Sequence, residues 1–113
     1  MELTKEFLQS IPENQIRFQE LLTQWRHQLH AYPETSMEEI WTADFIASIL
    51  ETLGLEVVRN VGGHGIVATL TVGNGPRSIG LRSEMDALNI CEETGLPYGL
   101  VCKICFCYNV TVK

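Results

Sequence analysis

Basic residues are scarce in this chain of 113 residues, which has 8 Lys and Arg against 14 Asp and Glu and a formal net charge of -6. They form no run, so the sequence lacks the clustered positive charge of a nucleic-acid surface. Apolar runs are also short, and none approaches the roughly 18 residues of a membrane span. The first residues lack the basic and apolar regions of a secretory signal. We therefore expect a cytoplasmic protein that binds neither nucleic acid nor a membrane.

Cysteine is unevenly distributed: Cys91 stands alone, and Cys102, Cys105 and Cys107 crowd the end of the sequence. Without an export signal, a disulfide framework is not expected, because the cytosol keeps thiols reduced. The C-x-x-C-x-C spacing could hold a soft metal. A structural zinc site, however, takes four ligands from two separated pairs, and no His or fourth Cys follows here. The sequence favours a divergent Cys-rich tail over residues 99–113, with the metal site as the alternative.

Two amphipathic helices are predicted in the first half of the chain. The first begins at a capping box formed by Ser10 and Glu13 and ends near Ala31, because Pro33 follows. Its apolar residues recur at helical spacing and are Phe18, Leu21, Leu22, Trp25 and Leu29. The second begins at another capping box, Ser36 with Glu39, and closes at Gly54. Its apolar stripe is Ile46, Ile49, Leu50 and Leu53.

A sheet is predicted after the helices. The strand candidates are Leu55–Arg59, Ile66–Val72 and a short apolar run that begins at Ile79, and they are rich in β-branched residues and separated by glycine turns. His64 lies in the first of these turns and is interpreted as a turn residue. The order of elements predicts an α/β fold, with α+β as the alternative: two N-terminal helices followed by a three- or four-stranded sheet, and an incomplete piece of a domain.

Arg82, Glu84 and Asp86 follow the apolar run at alternate positions, which places all three on one face of an extended segment. Open α/β sheets carry their chemistry outside the carboxyl ends of their strands. This segment is therefore the first candidate for a functional site. His27 and His30 lie near the end of the first helix, where the helix dipole favours a histidine, and we interpret both as structural rather than as ligands.

Several motifs in order carry a family resemblance. They are RHQLHAYPETSMEEIWTA from Arg26, LGLEV from Leu53, GGHGIVA from Gly62, SIGLRSEMDAL from Ser78 and EETGLPY, which ends at Tyr98. This series resembles the N-terminal region of the amidohydrolase branch of the aminoacylase and carboxypeptidase family. That branch includes hippurate hydrolases, N-acyl-amino-acid amidohydrolases and plant auxin-conjugate hydrolases. The resemblance implies a metallopeptidase-like catalytic domain that hydrolyses the amide bond of a small N-acyl amino acid.

The resemblance also implies a cofactor and site residues. Family members use two divalent metals, manganese, cobalt, zinc or nickel, with a glutamate that moves the proton. Asp86 matches the second acid of the family motif Asp-Met-Asp-Ala-Leu-Pro, and it is the candidate that orients a ligand. Glu84 stands where the family usually has the first Asp, and Asn89 stands where it has Pro. Glu84 is therefore the weaker candidate, and no residue of this sequence is identified as a metal ligand.

After Tyr98 the sequence departs from the family, which continues into His-x-Cys-Gly-His-Asp-x-His. No His follows His64 in this sequence. We therefore expect residues 1–98 to be the N-terminal part of a catalytic domain and residues 99–113 to come from truncation, a shifted frame or an alternative terminus. The chain alone is predicted to bind no metal and to be inactive. The alternative is a non-catalytic remnant or interaction module that self-associates through exposed sheet edges.

Overall fold

Two helices and a β-hairpin form the regular structure of residues 15–99, the part of the chain that the computed structural model describes. Helix α1 covers Gln15–Ala31, helix α2 Ile40–Thr52, strand β1 Glu56–Val61 and strand β2 Gly65–Thr69. This mixed arrangement of two helices followed by a sheet confirms the predicted fold class. The predicted capping box at Ser10, and the tail with its three cysteines, lie outside the described residues.

Helix α1 ends at Ala31, as the position of Pro33 predicts. Leu21, in the predicted apolar stripe, is 3% exposed, whereas its neighbour Leu22 is 38% exposed. One side of the stripe is therefore covered and the other faces solvent.

The start of helix α2 differs from the prediction. Its N-cap is Glu39, which makes no side-chain capping bond, so the predicted capping box of Ser36 and Glu39 is wrong. The backbone at Met37 takes a left-handed conformation with a φ of 71°, which turns the chain just before the helix. The connector has its own side-chain bond, in which the Thr35 hydroxyl donates to the Glu38 carboxylate over 2.8 Å. This turn takes the place of the first helical turn that was expected.

The end of helix α2 is the one that Gly54 predicts. Gly54 has a φ of 82°, a left-handed conformation that glycine adopts without a steric penalty. Its N–H donates to the Glu51 carbonyl at 2.9 Å, and the Leu55 N–H donates to the Leu50 carbonyl at 3.1 Å. This pair of bonds is a Schellman motif, which satisfies the last carbonyls of the helix and turns the chain into β1.

Strands β1 and β2 form an antiparallel hairpin, and α2 packs against both of them. Val58 pairs with Val67 and Val61 pairs with Gly65, so Arg59 and Asn60 together face Ile66 across the ladder. Asn60 has a φ of 60°. An extra residue of this kind is a β-bulge, which bends the strand and increases its twist.

Arg59 ties the bulged strand to helix α2. Its guanidinium donates to Asp44 at 2.7 Å and to Glu51 at 2.9 Å. The acceptors lie about two turns apart on α2 and both are exposed, so the pairs orient the helix on the hairpin more than they stabilise it. Exposed ion pairs contribute about 0–1 kcal/mol each.

The third predicted strand is absent from the described residues, and the sheet has two strands rather than three or four. Ile79 is 90% exposed and Leu81 is 96% exposed, and both lie in a stretch without regular structure. An apolar run becomes a strand only where a neighbouring strand supplies hydrogen-bond partners and a packed face. In the described part of the chain, neither edge of the hairpin receives this run.

Gly65 supports a first prediction. A Cβ at this position would overlap the carbonyl oxygen of Val61, whereas a Cβ at Gly75 would meet no atom within 4 Å. We expect Gly65→Ala to destabilise the hairpin by about 1–3 kcal/mol, the usual cost of overpacking. Gly75→Ala is the matched control and should stay within about 0.5 kcal/mol of the parent. Urea unfolding measures both, and equal midpoints for the two variants would contradict the close approach.

Candidate functional site

The segment that carries Arg82, Glu84 and Asp86 lies beside the hairpin turn, and a cleft of about 590 Å³ separates the two. The cleft is lined by one connector residue, four hairpin residues and five residues of the segment: Ser36, Val61, Gly65, Ile66, Val67 and residues 82–86. Glu84 and Asp86 thus border one cavity, in which a small polar molecule could be bound.

Solvent reaches both charged partners at the start of this segment. Arg82 Nη2 lies 3.6 Å from Glu84 Oε1, and the two side chains are 87% and 78% exposed. Water screens such a pair, which therefore adds little to stability. Arg82 and Glu84 remain available to a ligand in the cleft, because nothing inside the described residues buries them.

A backbone hydrogen bond holds Asp86 at its place in the cleft. The N–H of Ala87, which shares a peptide unit with the Asp86 carbonyl, donates to the Glu34 carbonyl at 2.8 Å. Within residues 70–90, this is the one hydrogen bond to a residue outside that segment. The connector between the helices therefore positions the candidate site.

Glu34 itself is fixed by helix α2. Its carboxylate accepts hydrogen bonds from the backbone N–H of Thr42 at 2.7 Å and of Trp41 at 3.1 Å, two of the N–H groups that a helix start leaves without intrahelical partners. Partial burial raises the pKa of Glu34, but the hydrogen bonds from Thr42 and Trp41 and the attraction of His64 outweigh burial. The net result is a pKa below the usual value.

The end of helix α1 holds the segment that follows the cleft. His30 Nε2 lies 3.1 Å from Glu92 Oε1, and the Thr94 hydroxyl also donates to Glu92. The His27 ring stacks on Tyr98 with its centroid 3.6 Å away and the two planes 7° apart. Both histidines make side-chain contacts, in keeping with their structural interpretation.

The surroundings of His27 favour its neutral form. Partial burial and the positive charges of Arg26 and His30 lower the pKa of His27 below its ordinary value. A neutral ring can accept a hydrogen bond, and Arg26 Nη2 lies 2.8 Å from His27 Nε2. The Arg26 guanidinium also lies 5.7 Å from the centre of the Tyr98 ring, in the range of a cation–π contact.

A second groove, of about 440 Å³, lies between the end of α1 and the segment after the cleft. Its lining is mostly apolar and consists of His30, Pro33, Ala87, Leu88, Ile90, Cys91, Glu92, Glu93 and Thr94. The groove separates the helix from the loop that the His30–Glu92 contact holds in place. Its loop residues, from Ala87 to Thr94, come directly after the Arg82–Asp86 segment in the sequence.

Sequence reasoning found the segment with Glu84 and Asp86 but missed Glu34. The signal was present, because Pro33 and Glu34 lie within the longest motif and directly after the first helix. What sequence alone did not provide is that this acid caps a helix that begins six residues later. His64, which was interpreted as a turn residue, lies in the turn between β1 and β2, as predicted.

The described residues contain no group of three or more His, Cys, Asp or Glu side chains placed to hold a metal ion. Asp86 and Glu84 therefore belong to no such group among residues 15–99. Between residues 15 and 99, neither helix has the length and hydropathy needed to cross a membrane.

Comparison with known proteins reveals related sequences. The chain is 45% identical over 73 residues to a hippurate hydrolase of Campylobacter jejuni, which covers 65% of this chain and 19% of that protein. It is 42% identical over 81 residues to the amidohydrolase YhaA of Bacillus subtilis, covering 72% of this chain and 20% of the relative. It is 37% identical over 90 residues to the N-acetyl-L-cysteine deacetylase of Bacillus subtilis, covering 80% and 22%.

These relatives are much longer than the chain, which spans about a fifth of their length. No family model and no solved structure matches the chain. The relationship therefore rests on the sequences of these longer proteins.

Proposed function

We propose that this chain belongs to the amidohydrolase branch of the aminoacylase and carboxypeptidase family and supplies part of the catalytic domain of an amide-bond hydrolase. The observation that carries the proposal is the segment from Arg82 to Asp86, which lines a cleft and contains Asp86, the residue that matches the second acid of the family motif. We propose small N-acyl amino acids, such as hippurate, as the substrate class, and the cytoplasm as the location. The name of one relative, a hippurate hydrolase, supports this choice of substrate class.

Within that function, Asp86 is assigned a role in orientation. Its peptide is anchored to the connector, so its carboxylate projects from a fixed backbone, and an anchored acid can orient a neighbouring ligand by a hydrogen bond. Glu84 carries the same charge on a longer side chain that solvent surrounds, and its contribution should be smaller. A divalent metal such as manganese, cobalt, zinc or nickel would polarise the amide carbonyl in the family reaction. The described residues alone do not form its site.

A chimera tests this proposal. Residues 22–98 of this chain would replace the matching region of the Campylobacter hippurate hydrolase, which supplies the other four fifths of the protein. We expect the folded chimera to hydrolyse hippurate with added manganese. The 113-residue chain by itself, assayed in parallel, is predicted to bind no metal and to show no turnover.

Two controls separate a true loss of activity from damage by the junctions and from misfolding. A second chimera, with the host region reinserted through the same junctions, shows whether the junctions alone reduce activity. Circular dichroism and thermal unfolding show whether the hybrid folds. A folded hybrid that lacks activity, beside an active junction control, would contradict the proposed function.

A second candidate function, an interaction module, is favoured by the exposed apolar residues that follow β2. Leu70 and Val72 are 65% and 83% exposed, and Ile79 and Leu81 are more exposed still. Residues of this kind at alternate positions favour pairing with another strand edge. We propose that the partner is a second copy of the chain, joined through these exposed apolar stretches.

Sedimentation velocity of the full chain tests self-association. We expect the mass of the parent to rise with concentration across the micromolar range and the double variant Ile79→Lys, Leu81→Lys to remain monomeric. Ile16→Lys, at a site on α1 that is also mostly exposed, is the matched control and should associate like the parent. A parent that is monomeric at every concentration would exclude this candidate.

A further inference from the structure

Glu34 makes hydrogen bonds to two separate parts of the structure. Its carboxylate accepts the N–H groups of Trp41 and Thr42 at the start of helix α2, and its carbonyl accepts the N–H of Ala87 beside the cleft. His64, in the hairpin turn, is close enough to attract its negative charge. A single residue therefore bonds both the start of helix α2 and the segment that carries the candidate site.

We propose that Glu34 is a positioning residue for Asp86: its carboxylate, held by the start of α2, fixes the peptide whose carbonyl receives the Ala87 N–H and so sets where Asp86 lies along the cleft. This inference rests on the proposed function, in which Asp86 orients a ligand. It assigns to the connector a task beyond joining two helices.

The backbone around Glu34 explains why the side chain can control the carbonyl. Pro33, directly before it, has a fixed φ, and the turn directly after it is closed by the Glu38 N–H, which donates to the Thr35 carbonyl at 2.9 Å. Because the backbone is restricted on both sides of Glu34, fixing its carboxylate also limits the directions in which its carbonyl can point. Loss of the anchor frees the residue, and the bond to Ala87 then has no fixed acceptor.

The sign of the pH dependence follows from the direction of the shift. The pKa of Glu34 is below its ordinary value in the folded chain, so its charged form stabilises the fold. That stability is fully present above the ordinary pKa of a glutamate and is lost as the pH falls through the lower, folded value. We therefore expect acid to release the start of α2 and the Ala87 N–H together. The titratable group that acts on the charge of Glu34 is His64 in the hairpin turn, and the start of α2 contributes the N–H groups of Trp41 and Thr42 as donors.

Amide hydrogen exchange of the full 113-residue chain, measured by NMR, tests the inference. In Glu34→Gln, we expect the exchange rates of Trp41, Thr42 and Ala87 to rise together by about tenfold or more, the loss that follows removal of a charged acceptor. Glu38→Gln is the matched control, since Glu38 is an acid of the same connector whose carboxylate accepts a hydrogen bond from the Thr35 hydroxyl. It should leave the Ala87 amide unchanged.

The parent chain gives a second measurement that requires no variant to fold. Its Trp41, Thr42 and Ala87 amide shifts should titrate with one shared midpoint below the ordinary glutamate pKa. If Trp41 and Thr42 respond in either measurement while Ala87 keeps its protection and its shift, Glu34 is a helix cap only and the inference is wrong. Neither measurement uses substrate or turnover, so an inactive chimera would contradict the proposed function and leave this inference to be decided on its own.

Discussion

Asp86→Ala in the chimera with the hippurate hydrolase is expected to lower the rate of hippurate hydrolysis by about 10- to 100-fold, the usual cost of removing a group that orients a catalytic ligand. The physical reason is that Asp86 projects from an anchored peptide beside the cleft. Asp86→Asn should lose nearly as much, because it keeps the shape of the side chain but removes the charge. Initial rates at saturating manganese measure the effect.

Two further variants separate Asp86 from a general loss of negative charge. Glu93→Ala removes an exposed acid on the second groove and should leave the rate within about twofold, since surface substitutions away from a site have small effects. The rate of hippurate hydrolysis with Glu84→Ala should fall between the rates with Asp86→Ala and Glu93→Ala. A chimera that keeps its full rate with Ala at position 86 would remove Asp86 from the site.

Ala47→Asp is expected to have the largest effect on stability. Ala47 lies on helix α2, which packs against both strands, and none of its surface is exposed. A carboxylate placed there has no room, and burying a charge away from water costs about 3–5 kcal/mol. A small domain of ordinary stability cannot absorb a loss of that size, so we expect the variant to be largely unfolded at 25 °C.

Ser48→Asp is the matched control for that substitution. Ser48 is the next residue on the same helix and is exposed, so its carboxylate stays in water. We expect its free energy of unfolding to stay within about 0.5 kcal/mol of the parent. Urea unfolding followed by circular dichroism measures both variants, and a folded Ala47→Asp chain would mean that the α2–hairpin interface is not the core.

Local signals predicted much of the fold. Pro33 located the end of α1, Gly54 located the end of α2, and the glycine turn around His64 located the hairpin, because each acts through neighbouring backbone geometry. These constraints hold within a few residues and do not depend on the rest of the molecule. Sequence alone is sufficient for such features.

Long-range features were harder to predict. Ser36 and Glu39 had the spacing of a capping box, yet Glu34 caps helix α2 from outside the helix. Its carboxylate accepts hydrogen bonds from two backbone N–H groups of α2, and these bonds depend on how the connector folds back. The apolar run at Ile79 had the composition of a strand. Strand formation needs a neighbour, and composition does not say whether a neighbour is present.

The candidate site shows the same division. Alternation at period 2 singled out Glu84 and Asp86, and both line the cleft. The anchor that positions them comes from Glu34, at least fifty residues earlier in the chain. No spacing rule relates the two, and only the folded connector brings them together.

The most direct test of the central claim is the kcat for hippurate of the chimera that carries residues 22–98, measured beside the unmodified host and with the metal content of both. We predict equal metal content and a kcat within about tenfold of the host. The reason is that the chimera keeps Asp86, and exchanging the residues around this acid should lower the rate less than removing the acid itself. A folded chimera with the full metal content and no measurable hydrolysis would contradict the claim that this region can serve in an amide-bond hydrolase.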